Sequence, residues 1–156
     1  MNFYLVVEGK SDKAVYRSWV MFENSALRAV DYLPQVTTDC VYIVGGEGFP
    51  GSYARIENAA KDVRDNRKFD YLVIVADAEE QVADIKRQEI DAFMAGLQFS
   101  IPYLTIVQDF CLETWALGNR KIVPSNPSGQ LKQMIAAHNV KKFDPEALPV
   151  LGVHTT

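Results

Sequence analysis

Short apolar runs alternate along this chain with stretches in which apolar residues recur every three or four positions. The runs predict strands at residues 3–7, 40–44, 71–76 and 101–107, and the periodic stretches predict helices at 11–24, from 52 onward, at 80–95, near 110–117 and at 128–138. The third run is apolar throughout, which indicates cover on both faces and a central place in a parallel sheet. The alternation predicts a doubly wound α/β fold, with a four-stranded, mainly parallel sheet and helices on both faces.

Two of the predicted helices have recognisable starts and inward faces. Ser11 is expected to cap the first helix, in which Val15, Trp19 and Phe22 share one face. Ser52 is expected to cap the second helix, and four of its residues are predicted to face inward: Tyr53, Ile56, Ala60 and Val63. We find no repeat and no linker, so residues 1–156 are expected to form a single domain, with a core at about 3–120 and a helical extension and tail at about 121–156.

Composition adds limits to this picture. Hydrophobic residues make up 48% and charged residues 23% of the 156 residues, which is typical of a folded globular domain. The net charge of −4 excludes a module that binds nucleic acid by bulk positive charge alone. Cys40 and Cys111 lack metal-site spacing and are expected to be reduced core thiols. No membrane-length apolar run and no signal peptide occur, so we expect a soluble, cytoplasmic protein without a membrane partner.

Acidic residues and glycines follow the predicted strands. Glu8-Gly9, Gly45-Gly46, Asp77 with Glu79, and Asp109 with Glu113 come after the four strands in turn. In doubly wound sheets these positions meet at one edge, where ligands bind. Carboxylates gathered there would repel one another unless a cation lies among them, and Mg²⁺ or Mn²⁺ prefers such oxygen ligands. The pattern therefore predicts a site for one or two divalent metal ions.

Each of these residues also has a purely structural interpretation. Glu8 could pair with a lysine at the end of a strand, and Asp77 could cap the following helix. Against this, Asp77 and Glu79 would point the same way if the backbone there is extended. Glu113 interrupts the apolar stripe of FCLETWALG, which indicates a metal or a cationic partner.

Three short motifs resemble those of the Toprim domain, the metal-binding catalytic module of topoisomerases, primases and overcoming-lysogenization-defect (OLD) nucleases. They are VVEGKSD, VGGEG and VIVADAE, each after a predicted strand. The resemblance implies a Toprim-like, Rossmann-like sheet on which Glu8, Asp77 and Glu79 are catalytic and bind metal. LETWALGN is similar to a stretch of small stand-alone OLD-like proteins, which would make Glu113 a further ligand. In those proteins a lysine near the C-terminus joins the site, and VKKF offers Lys141 or Lys142. At residues 77–79 this sequence has DAE, where Toprim domains usually have D-x-D.

The resemblance implies a nuclease that cleaves phosphodiester bonds with Mg²⁺ or Mn²⁺, with DNA favoured over RNA and a role in defence against phage. Gly9, Gly45 and Gly46 would let the backbone approach a phosphate closely. OLD-like Toprim domains commonly work with an ATPase, which would here be a separate chain, because the sequence has no GxxxxGK[ST] motif. Self-association stays open. Two other functions also stay open: a non-catalytic interaction module on a Toprim scaffold, and a metal-dependent phosphoryl-transfer enzyme acting on nucleotides.

Overall fold

The computed structural model describes residues 1–45 and 51–109, together with Leu112, Gly129, Lys132 and Gln133. The chain divides into two compact units, residues 1–76 with 84–107, and residues 77–83 with the chain from 108 onward. The described part contains β1 (Phe3–Val6), α1 (Lys10–Glu23), β2 (Arg28–Val30), β3 (Cys40–Val44), α2 (Gly51–Asn66), β4 (Tyr71–Asp77), α3 (Ala83–Gly96) and β5 (Tyr103–Gln108), with a 3₁₀ turn at Leu33–Gln35. The predicted helices near 110–117 and at 128–138 lie outside the described residues, apart from a few single positions.

The strands form one sheet in the order β2-β3-β1-β4-β5. The central strand, β1, pairs in parallel with β3 and with β4, so that Val6 is level with Val44 on one side and Ile74 on the other. This architecture is α/β and consistent with a Rossmann-like fold. The prediction of four strands was wrong, because β2 adds a fifth at one edge. A strand of three residues is too short to show a period-two pattern, so the sequence gives no signal for it.

The sheet carries a hydrophobic cluster on each face. Alternate residues of β4 divide between them: Leu72, Ile74 and Ala76 pack in one cluster, and Val73 and Val75 belong to the other. The first cluster also receives apolar residues of two helices, namely Ile56, Ala59, Ala60 and Val63 of α2, and Ile90 and Met94 of α3. α1 covers the opposite face. The prediction of helices on both faces is therefore confirmed, as is the inward face of α2.

The start and the face of α1 differ from the expectation. The helix begins at Lys10, and the Asp12 carboxylate accepts a hydrogen bond of 2.7 Å from the Gly9 N–H, so Ser11 is not the cap. Tyr16 and Val20 pack against the core, whereas Phe22 is 83% exposed. The helix thus turns a different stripe inward from the one formed by Val15, Trp19 and Phe22. Both stripes have helical spacing, and only the packing selects between them.

Cys40 is a buried free thiol at the start of β3, as predicted. Burial raises the pKa of this thiol, but hydrogen bonds with Thr37 and with the guanidinium of Arg28 outweigh burial and leave the pKa below its usual value. Cys111 lies outside the described residues. Within the described part of the chain, no helix combines the length and the apolar character needed to cross a membrane.

Candidate functional site

A narrow cleft lies beside the carboxyl ends of β1 and β4 in the first unit. Its walls come from the ends of the two strands and from the N-terminal parts of α2 and α3. They are formed by Val6, Val7, Glu8, Ser52, Tyr53, Ile56, Ile74, Val75, Ala76, Lys86 and Ile90. The free volume is about 10 Å³, which is about the space that one water molecule needs. Most of the lining is apolar, but a glutamate and a lysine face the same small space.

Glu8 is held in place by backbone anchors on both sides. One residue earlier, the N–H of Val7 donates to the carbonyl of Val44 at 2.9 Å, which extends the contact with β3 beyond the end of β1. One residue later, Gly9 forms the cap of α1. Because the chain is anchored before and after it, the backbone of the half-buried Glu8 is held beside the cleft. These two anchors give the Glu8 backbone a defined position at the end of an otherwise apolar strand.

Gly45 shows why a glycine ends β3. A Cβ atom at this position would lie 2.6 Å from Cγ2 of Val7 and 2.7 Å from the carbonyl oxygen of Gly9, closer than real contacts allow. The sequence predicted a close backbone approach at Gly45, and the structure has one, to the chain's own segment between β1 and α1. An approach of Gly9 or Gly45 to a phosphate stays a prediction. Gly46 lies outside the described residues.

Lys86 is a charged residue of the cleft that was not among the predicted site residues. It is 4% exposed and lies on the stripe of α3 that continues through Ile90 and Met94, while the neighbouring Ile85 is 50% exposed. A signal for Lys86 did exist: it stands four and eight residues before two core positions of the same helix. A pattern search that scores only apolar residues assigns Ile85 to the core instead.

Two hydroxyl groups complete the polar lining. Ser52 was expected to cap α2, but the helix begins at Gly51, so Ser52 lies within its first turn. Tyr53 packs its ring against Phe93, with 4.9 Å between the ring centroids. Burial and then the negative charge of Glu89 raise the pKa of Tyr53.

Asp77 and Glu79 belong to the second unit, where they form part of one turn. Asp77 ends β4, and its Oδ1 accepts a hydrogen bond of 2.9 Å from Nε2 of Gln108. The N–H of Ala78 donates to the carbonyl of Gln108, also at 2.9 Å. Glu79 is exposed and has a φ of 51°, in the left-handed region that non-glycine residues rarely adopt. The backbone is therefore not extended from Asp77 to Glu79, and the argument that both side chains point the same way does not apply.

The remaining predicted site residues, Glu113, Lys141 and Lys142, lie outside the described residues, whereas Asp109 is described and exposed. Within the described ranges, no three His, Cys, Asp or Glu side chains come together as a metal site. The described donors fit Mg²⁺ or Mn²⁺ in kind, because they are carboxylate oxygens.

Comparison with known proteins adds no family to this description. No protein-family model matches the sequence, and no curated protein or solved structure matches it either. The similarity to Toprim domains is therefore carried by the short motifs alone.

Proposed function

We propose that this chain is a nuclease that cleaves phosphodiester bonds with Mg²⁺ or Mn²⁺, on a Toprim-like arrangement of acidic residues. The observation that carries the proposal is the order of the three inner strands. β3, β1 and β4 are neighbours and run parallel, with Gly45 directly after β3, Glu8 shortly after β1, and Asp77 at the end of β4. Parallel α/β sheets bind ligands beyond the carboxyl ends of their strands, which supports a site at these residues.

The roles follow from the chemistry of the side chains. Glu8, Asp77, Glu79 and Glu113 would hold the metal, and Glu8 could instead serve as a general base. When bound, one or two Mg²⁺ ions would polarise the scissile phosphate and lower the pKa of a bound water. Lys141 or Lys142 would neutralise negative charge on the phosphate, as the Toprim resemblance implies.

The first test is a cleavage assay on supercoiled plasmid and on labelled single-stranded and duplex DNA, with Mg²⁺, with Mn²⁺ and with excess EDTA. Asp77→Asn is the most specific variant, because it removes the negative charge while the asparagine Oδ1 can still accept the hydrogen bond from Gln108. We expect Asp77→Asn and Glu8→Gln each to lower the cleavage rate by about 100-fold or more, the range seen when one electrostatic catalytic contact is removed.

Asp65→Asn is the matched control, because Asp65 is an exposed aspartate on α2, away from the strand ends. It should cleave at the wild-type rate. Cleavage that persists in EDTA, or an Asp77→Asn variant as active as the wild type, would contradict the proposed mechanism. Turnover of mononucleotides without cleavage of polymers would favour the nucleotide phosphoryl-transfer alternative, and a protein that binds no metal would favour the interaction module.

A further inference from the structure

In α3 an isoleucine is exposed and the lysine next to it is buried, the reverse of what is usual for these residue types. Ile85 lies half in solvent, and Lys86, the next residue, is almost fully buried in the wall of the Glu8 cleft. Burying an ammonium group is costly unless other groups compensate for its lost hydration. For stability alone, an apolar residue at position 86 would serve as well or better, since replacing buried charges by apolar groups is often neutral or stabilising. Departures of this kind from local rules are expected at functional sites.

We propose that Lys86 is a substrate-binding cation, and that its ammonium group binds one non-bridging oxygen of a phosphate at the mouth of the Glu8 cleft. The proposal deepens the nuclease proposal and rests on it for the identity of the phosphate, which would be that of the nucleic acid chain. In this proposal a residue of α3 supplies positive charge to the substrate phosphate, in addition to the lysines near the C-terminus.

The dimensions of the cleft and the donor groups of Lys86 fit this role. A free volume of about 10 Å³ admits one oxygen-sized atom and no more, so the rest of the phosphate would lie outside. Ser52 and Tyr53, which carry hydroxyl groups, also line the cleft, and two of its lining residues, Glu8 and Ser52, are half-buried. An ammonium group has three N–H donors, so Lys86 can keep a partner within the protein and still donate to a ligand oxygen.

The neighbouring Arg87 provides a matched control. Its side chain is 47% exposed and approaches Asp84 of the same helix at 3.9 Å, as expected for a solvated surface residue. Arg87→Met removes the same unit of charge, one position away, from the solvent side of the helix. A loss of binding through net charge alone would therefore affect Lys86→Met and Arg87→Met equally.

The experiment is an NMR titration of the whole protein with inorganic phosphate, at constant ionic strength, with EDTA present and no divalent metal. We expect saturable binding to the wild type, with shifts at residues 52, 53 and 86. Lys86→Met should weaken binding by about tenfold or more, because a charge-assisted hydrogen bond is lost. Arg87→Met should bind within about threefold of the wild type, since it leaves Lys86 in the cleft.

Two results would overturn the proposal. The first is that the wild type does not saturate below about 100 mM phosphate, which is a far weaker affinity than a built site provides. The second is that Lys86→Met and the wild type bind phosphate equally well. If Lys86→Met does not fold, Lys86→Gln replaces it, and Lys86→Gln binding as well as the wild type would contradict the proposal. Parallel titrations with a mononucleotide and with a single-stranded DNA pentamer distinguish a monoester from a polymer phosphate. Because the assay contains no metal, it tests the role of Lys86 separately from the nuclease activity. If phosphate binding depends on Lys86 but the protein cleaves no nucleic acid, only the nuclease proposal is overturned. If the protein cleaves with metal but binds phosphate equally well without Lys86, only the role of Lys86 is overturned.

Discussion

Gly45 lies where the backbone leaving β3 meets the segment between β1 and α1. A side chain there would collide with Val7 and with the carbonyl oxygen of Gly9, and the second of these contacts is with backbone, which cannot turn aside as a flexible side chain can. The contact joins the end of β3 to the residues on either side of Glu8. The close contact at Gly45 therefore helps to set the position of the Glu8 backbone.

Gly45→Ala is expected to lower the free energy of unfolding by about 1–3 kcal/mol, the usual cost of forcing extra atoms into a packed region. Urea denaturation followed by circular dichroism measures this value. Gly96→Ala is the control, because a Cβ at Gly96 meets no atom within 4 Å. The control should be neutral or more stable by up to about 1 kcal/mol, since alanine favours helix and restricts the unfolded chain. A Gly45→Ala variant as stable as the wild type would show that the close approach is easily relieved.

Helices α1 and α3 show that helical spacing does not by itself identify the inward face. In α1 the apolar residues fall on two overlapping stripes, and the one that contains Tyr16 and Val20 packs on the sheet. In α3 the buried stripe begins with a lysine. A helix can rotate about its axis by one residue's step, about 100°, without changing its hydrogen bonds, so its contact face depends on the surface it meets.

A pair of alanine substitutions in α1 tests this assignment. Val20→Ala is expected to cost about 1–2 kcal/mol of unfolding free energy, because Val20 packs against the core and loses buried methyl groups. Phe22→Ala should change the free energy by less than about 0.5 kcal/mol, as is usual for exposed positions, although phenylalanine is the larger residue. Equilibrium unfolding in urea measures both. A larger loss for Phe22→Ala than for Val20→Ala would mean that Phe22 is covered in solution.

At the scale of the whole molecule, charge limits how well the protein can hold nucleic acid. The chain carries 16 Lys and Arg against 20 Asp and Glu, so few cations remain to contact phosphates. Affinity for nucleic acid grows with the number of phosphate contacts and falls steeply with salt. A nuclease of this composition would bind its substrate mainly through its metals and a few lysines, which favours a second copy or a separate ATPase as the source of a basic channel.

We therefore expect the isolated protein to bind DNA with a Kd weaker than about 1 μM at about 150 mM salt, because its few phosphate contacts are screened there. Fluorescence anisotropy of labelled single-stranded and duplex oligonucleotides measures this, with Ca²⁺ in place of Mg²⁺ to slow cleavage. Repeating the titration at low salt is the internal control, and binding should tighten there. Submicromolar affinity of the monomer at the higher salt would contradict the need for a partner.

Most of the sheet, and the positions of two candidate site residues at strand ends, could be predicted from local patterns. The apolar run at 71–76 predicted a strand with a central place and cover on both faces. The two clusters that share β4 confirm the cover, and β4 is an inner strand beside the central β1. The inward residues of α2 followed from their spacing alone. Glu8 and Asp77 could be assigned to strand ends, because a strand's boundary is visible where apolar residues give way to charged ones. These features depend on neighbours in sequence, and a sequence displays them directly.

Other features depend on residues far apart in the chain. The short strand β2 exists because β3 offers it an edge, the face of α1 was selected by the surface beneath it, and Gly45 is required by the positions of Val7 and Gly9. Lys86 is the clearest case. A lysine is ordinarily solvated, and Lys86 is buried because α3 packs against the ends of β1 and β4 with the stripe that contains Lys86, Ile90 and Met94. Periodicity fixes which residues share a face, but the free energy of packing, which is summed over both partners, decides which face is buried.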